Sequence, residues 1–274
     1  MYQDPAVHGG QAFLHDFAPA TRPAFHLDVA WAKSENEVRQ AQRLRYRVFA
    51  DEMLARLSPP PGTPFGLDVD HFDAYCEHLL VRAVLAGQDP AQGEVVGTYR
   101  VLSPGRARAA GGFYCETEFD LAPLTALRPR ALELGRSCVH PRWRRGGVVL
   151  AMWSALAVYM QHHDLQTMIG CASMGMSDGG AAAAALWLSL RKSSLAEARW
   201  RVRPHAALPL VHERSGRFEG AGQQVPPLIK GYLRCGARVL GPPAYDRAFN
   251  TADLPMMLHI KDMAPRYRNH LLRK

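Results

Sequence analysis

The chain has 274 residues, 47% of them hydrophobic and 21% charged, enough apolar material to bury a core and to exclude a disordered chain. Its net charge is +8, 28 of its 33 basic residues are arginine, and nine arginines between Arg100 and Arg145 face four acids, so that half should attract phosphate, acidic proteins or anionic lipid. Five scattered cysteines with no CxxC pair argue against a zinc site and a disulfide framework, and for reduced thiols in a reducing compartment.

Residues 1–25 mix polarity and carry Pro5, Gly9, Gly10, Pro19 and Pro23. They read as a poorly ordered leader, without the basic segment and apolar core of a signal peptide. "LDVAWA" (27–32) alternates like a strand, and 34–53 repeats Val38, Ala41, Leu44 and Val48 at helical spacing behind Ser34 and Glu37, a capping-box signature. "EHLLVRAVL" (77–85) and "GEVVGTYRVL" (93–102) read as a hairpin. A strand over 131–139, an apolar helix over 147–163, a strand over 167–173 and an alanine-rich helix over 179–193 follow. The last third holds a glycine-rich loop (216–222) and a closing strand near 254–260. This order predicts an α/β fold with a mixed sheet and helices on both faces. It also predicts that helix 147–163, apolar nearly all round, is sandwiched. No linker divides residues 26–274, which read as a single domain. The longest apolar run, Val148–Met160, falls short of the ~20 residues that cross a bilayer, which points to a cytoplasmic protein.

The densest chemistry lies in "LELGRSCVHPRWRRGGVVLAMW". A helix's first turn has unpaired N–H groups and a partial positive charge. Gly146 and Gly147 let an anion approach that backbone, and Arg142, Arg144 and Arg145 add charge, so the turn reads as a phosphate cradle that includes Val148. A solvated arginine loop is the plainer alternative.

The turn resembles the acyl-coenzyme-A-binding turn of the GNAT acyltransferase superfamily, Q/R-x-x-G-x-G/A, with Arg144 and Gly147 in place and Val149 departing from it. That resemblance implies a mostly antiparallel sheet with central strands 131–139 and 167–173 splayed around a thioester. "RYRVF" (45–49), "LDVDHFD" (67–73), "GTYRVL" and "ELGR" (133–136) look, in order, like the landmarks of acyl-homoserine-lactone synthases. Beyond residue 137, "GCASM" and "PPLIKGYLRCGARVLGPPAYDRAFNTADLPMML" (226–258) resemble instead the L-ornithine Nα-acyltransferases of bacterial ornithine-lipid synthesis.

The resemblance implies transfer of a (3-hydroxy)acyl chain from the phosphopantetheine of acyl carrier protein to the α-amine of L-ornithine. It implies no permanently bound cofactor and no metal. The basic surface suits the acidic carrier and peripheral contact with an anionic inner membrane. An amine attacking a thioester needs a proton acceptor and oxyanion donors. Glu133 is the candidate acceptor and Arg136 its catalytic companion; equally, the two could pair for structure alone, and in an ideal strand they would lie on opposite faces. Asp70 and Asp73, with Asp68, could hold a substrate ammonium or form an acidic solvated loop. Arg100, inside an apolar strand, needs a carboxylate, from the substrate or from Glu133. Ser173 lines the expected cleft, one place off a hydrolase elbow. An N-acyl amino acid or signal synthase using another amine is the nearest rival, and a non-catalytic basic binding protein a distant one; no nucleic-acid-binding motif appears.

Overall fold

The computed structural model describes residues 25–145, 147–208, 225–265 and 267–268. The expected leader up to residue 24, the loop 216–222 and Gly146 lie outside them. In chain order the elements are β1 (Phe25–Trp31), α1 (Glu35–Tyr46), β2 (Glu77–Leu85), β3 (Glu94–Leu102), α2 (Pro104–Ala109), β4 (Phe119–Asp120), β5 (Ala131–Val139), α3 (Val148–His162), β6 (Thr167–Gly175), α4 (Ala181–Ser193), β7 (Arg203–Pro204), α5 (Pro227–Cys235), β8 (Arg238–Val239), β9 (Ala244–Asp246) and β10 (Thr251–His259). The main sheet runs β1-β2-β3-β5-β6-β10-β8, with β9 also on β10, while β4 and β7 pair separately. Its neighbours are antiparallel except for β5 and β6.

Ser34 caps α1 by accepting the Glu37 N–H at 3.3 Å, and the Glu37 carboxylate accepts the Lys33 N–H at 2.7 Å. After Tyr46 the helix widens into a π turn, Arg47–Glu52, closed by the Met53 N–H on the Val48 carbonyl at 3.0 Å. Such turns re-aim side chains near functional sites, and here Phe49 and Met53 line the central cavity.

Helices cover both faces of the sheet. On one, α3 lays Val148, Met152, Leu156 and Met160 on Leu79, Val81, Val101 and Leu132, and α4 and α5 bury Leu186, Leu190 and Ile229 against Ala172, Leu254 and Met256. Each fully buried aliphatic side chain contributes roughly 1.5–3 kcal/mol. On the other face α1 and the π turn after it set Leu44 and Val48 over Cys138, beside a cluster of Leu102, Phe113, Phe119, Ile169 and Met257. The expectation of a sandwiched α3 is only partly met. Trp153 stacks on Tyr232 of α5 with ring centroids 5.4 Å apart, yet Leu150 and Val158 stay 43% and 42% exposed. The helix reaches Gly97 of β3 so closely that a Cβ there would lie 2.4 Å from a Val148 methyl.

The feature that positions the site is the parting of β5 from β6. They pair only at Ala131–Thr167, Leu132–Met168 and Glu133–Ile169. Beyond that vertex β5 stays with β3 as far as Gly97–Val139, and β6 stays with β10 as far as Thr251–Gly175. Gly170 sits at the vertex, where a Cβ would meet the Leu134 carbonyl oxygen at 2.4 Å. A backbone oxygen cannot rotate away, so a side chain there would force the strands apart.

Candidate active site

Along the open edge of the vertex, β5 carries one extra residue. Thr98 faces Cys138 and Arg100 faces Gly135, so two steps on β3 span three on β5. This β-bulge is taken up at Arg136, whose φ is 51°, a conformation that L-residues seldom adopt. Arg136 and Ser137 have no partner on β3. The bulge answers the strand-geometry objection: Glu133 and Arg136 line the same cavity.

No bond joins them, however. Glu133 accepts the Tyr114 and Cys115 N–H groups at 2.6 and 2.7 Å, one on each oxygen. Burial pushes its carboxyl above the usual value, opposed by these N–H donors. Glu133 therefore anchors the 114–117 turn. Arg100, expected on the substrate or on Glu133, instead reaches Asp70 at 2.6 Å and Asp73 at 3.1 Å.

The acids near residue 70 are largely consumed by arginines. Fully buried Arg45 holds Asp68 at 2.7 Å and both oxygens of Asp73 at 2.8 and 2.9 Å. Arg136 donates to Asp70 at 3.0 Å. Three arginines thus match three aspartates, and Asp68 is 2% exposed rather than solvated. Burial would raise Asp73, but Arg45 and Arg100 hold it far below the ordinary carboxylate range. The expectation that Asp73 takes a substrate ammonium is corrected accordingly: its oxygens are occupied and it lines neither cavity. Asp70 does border the second cavity, but both its oxygens serve Arg100 and Arg136.

Two cavities meet at this point. The first, of ≈ 280 Å³, spans the sheet through the parted strands. On the α3–α5 face its walls are Leu134, Met168, Leu228, Tyr232 and Met256; on the other they include Arg100, Glu133, Arg136, Cys171, Ser173 and Asp253. The second, of ≈ 360 Å³, is lined by Asp70, Glu118, His205 and Arg247. Tyr114, Arg136, Asp246 and Phe249 line both. The Arg136 guanidinium lies 5.0 Å from the Tyr114 ring centroid and 4.7 Å from that of Phe249, distances at which the rings stabilise the cation.

Sequence reading missed Tyr114, Glu118, Asp246, Phe249 and Asp253. The signal for two of them was present, since Phe249 and Asp253 bound the "FNTAD" stretch. Asp253 is 4% exposed, pairs across the sheet with Ser173, and accepts the Thr251 hydroxyl at 2.8 Å. Burial, with Asp246 nearby, pushes it up to about 6. Glu118 is pushed up to about 8 by burial and then by Asp253 and Asp246. Cys115 and Cys171 approach to 3.5 Å, and the five cysteines are free thiols.

At the expected phosphate cradle, Gly147 adopts φ 79° and no side chain caps α3, which leaves its first N–H groups available. Arg144 is committed: both terminal nitrogens reach Glu52 at 2.7 Å. Arg142 is 3.7 Å from Glu94 and largely exposed, Arg145 is exposed, and the Val148 side chain is buried. An anion here would meet the backbone with Arg142 and Arg145, while Arg144 braces the turn.

Comparison with known proteins now adds to this geometry. Residues 44–154 match the model of an acetyltransferase (GNAT) domain. The chain is 40% identical to the L-ornithine N(alpha)-acyltransferase of Agrobacterium fabrum, over 88% of this chain and 83% of that one. It is 36% identical to the enzyme of that name from Rhodobacter capsulatus, over 90% and 95%, and 39% to that from Brucella abortus, over 88% and 87%. Among solved structures it resembles FeeM, an N-acyl amino acid synthase from uncultured soil microbes, with a TM-score of 0.51 at 9% identity over 87% of this chain and 95% of that one. It also resembles a CoA-dependent acyl-homoserine lactone synthase, BjaI, at 0.50 and 17% over 90% and 88%. At such identities these two speak for the fold alone.

Proposed function

Because this chain belongs to the L-ornithine Nα-acyltransferases, we propose that it moves a 3-hydroxyacyl chain from the phosphopantetheine of acyl carrier protein to the α-amine of L-ornithine. The observation that carries this reading is the junction at Arg136, where a cavity with an apolar end, open through the sheet, meets one edged by acids. The first suits an acyl thioester and the second a cationic amino acid.

In this reading the acyl chain lies among Leu134, Met168, Tyr232 and Met256, and the pantetheine phosphate rests on the start of α3 with Arg142 and Arg145. The backbone of Arg136 and Ser137, released from the ladder by the bulge, supplies oxyanion donors. The α-nitrogen forms a bond to the thioester carbon, the carbon–sulfur bond breaks, and the thiolate of the carrier takes up a proton. Asp253, with Ser173 beside it, receives the proton that the ammonium loses. Arg136 receives the acceptor's carboxylate.

Glu133 then works as a positioning residue. Glu133→Gln offers an amide NH2 to one of two N–H donors, which leaves a buried donor unmet at a cost of about 1–3 kcal/mol. Melting temperature is expected to fall, and kcat to fall about tenfold as the turn bearing Tyr114 shifts, with the shape of the pH profile kept. A profile that loses its ascending limb would make Glu133 the base instead.

The acyl product is amphipathic, and an apolar rim lies beside the cavity. Met53, which lines it, is 41% exposed, and the adjoining Leu54 is 79% exposed. No helix among the described residues is long and apolar enough to cross a membrane, so contact would be peripheral. The reading is tested by thiol release from 3-hydroxyacyl carrier protein against a panel of free amino acids, with and without vesicles containing anionic lipid. Ornithine-dependent release, and co-flotation with the anionic vesicles, are the expected results; faster release with another amine removes the acceptor assignment, and absence of flotation removes the membrane contact.

A further inference from the structure

Three carboxylates line the joined cavities, and among the described residues no basic side chain is bonded to them. Asp246 ends β9 and lines both cavities, Glu118 lines the second, and Asp253 lines the first. The contrast with the neighbouring aspartates is sharp, because Asp68, Asp70 and Asp73 are each bridged by arginine. Among the described residues, Glu118 Oε2 is buried without a hydrogen-bond partner, and its other oxygen has only the Tyr114 hydroxyl at 3.4 Å. Asp246 spends Oδ1 on the Ala248 and Phe249 N–H groups at 2.7 and 3.0 Å. A buried acceptor left unmet is costly, and so are gathered acids whose cationic neighbour, Arg136, is already bonded to Asp70. One cation entering the second cavity would relieve both. Burial, and then Asp253 and Asp246, push the Glu118 carboxyl up, and a cation beside it would act in the opposite direction.

We propose that Glu118 and Asp246 form the subsite for the acceptor's side-chain ammonium, so that the enzyme selects diamino acids over monoamino acids of the same length. The inference rests on the reading of the reaction as acylation of an amino acid's α-amine. With the α-nitrogen at the junction near Asp253 and the carboxylate at Arg136, an extended side chain runs into the second cavity and delivers its terminal nitrogen to the orphaned oxygen of Glu118. A monoamino acid leaves that oxygen and its neighbour unmet, which is how a polar site rejects an analogue lacking the matching group.

The test compares ornithine with norvaline, which has the same carbon skeleton and no side-chain amine, in wild type, Glu118→Gln and Asp246→Asn. Wild type is expected to favour ornithine by about 100-fold or more in kcat/KM, and each variant to bring that ratio below about tenfold, chiefly through the KM for ornithine. A merely structural role would lower both substrates together, and an unchanged ratio in both variants overturns the proposal. Should wild type acylate neither amino acid, the reaction reading fails by itself, and calorimetry then decides the subsite. Ornithine binding weakened in both variants upholds it, and equal affinity of wild type for ornithine and norvaline overturns it. Selectivity that disappears with EDTA and returns with a divalent cation would give the carboxylates to a metal and also overturn it.

Discussion

Asp253→Asn is expected to lower kcat by about 100-fold or more, the usual worth of a positioned general base. Asp253 lies in the cavity that opens through the parted strands, across the ladder from Ser173. Burial and Asp246 raise it to about 6, high enough to take a proton and low enough to be ionised near neutrality. A base acts when ionised, so wild-type kcat should climb as pH rises through about 6, and the variant should lose that limb. The stability effect has the opposite sign. A carboxyl whose folded value is raised stabilises the fold below its ordinary value near 3.8 and loses that contribution as pH rises through about 6. The variant, which carries no buried charge, should therefore melt no lower than wild type at pH 8. Loss of activity without loss of stability separates a base from a scaffold, and a variant of wild-type kcat would remove Asp253 from the chemistry.

Arg45→Ala should be the most destabilising single change at the site, by about 3–5 kcal/mol, the cost of stripping one partner from a buried ion pair. Arg45 has no exposed surface and ties α1 to Asp68 and Asp73. Since burial is outweighed at Asp73 by Arg45 and Arg100, its depressed value yields stability that is present above about 3.8 and lost as pH falls. The gap between wild type and variant should consequently narrow toward acid pH. Urea denaturation at pH 7 and at pH 2.5, below the ordinary carboxylate value, checks both statements, and a difference below about 1 kcal/mol at pH 7 would contradict the role given to Arg45.

These two residues show what the sequence could and could not disclose. The elements were legible because their signals are local: the Ser34 cap, the two β-branched runs in 77–102, and near-continuous apolarity after Gly147. The family landmarks at 45–49, 67–73 and 133–136 were legible because they keep their order. Their partners were not. Asp68 and Asp73 read as free acids, since the arginines that neutralise them lie at positions 45, 100 and 136 and meet them only in the folded sheet. Glu133 and Arg136 share a cavity because of one extra residue in β5, and a bulge is defined against the neighbouring strand rather than along its own. Glu118, Asp246 and Asp253 are scattered through ordinary-looking stretches and become a cluster only where β6, β9 and β10 meet the turn that Glu133 anchors.

The most direct test of the central claim is one incubation. Purified protein is given 3-hydroxyacyl carrier protein and ornithine labelled with nitrogen-15 at the α position, and the product is fragmented in a mass spectrometer. The account predicts an amide on the labelled nitrogen, a free side-chain amine, and one carrier thiol released per product. Acylation of the side-chain nitrogen, or thiol release without an acylated amino acid, would contradict it.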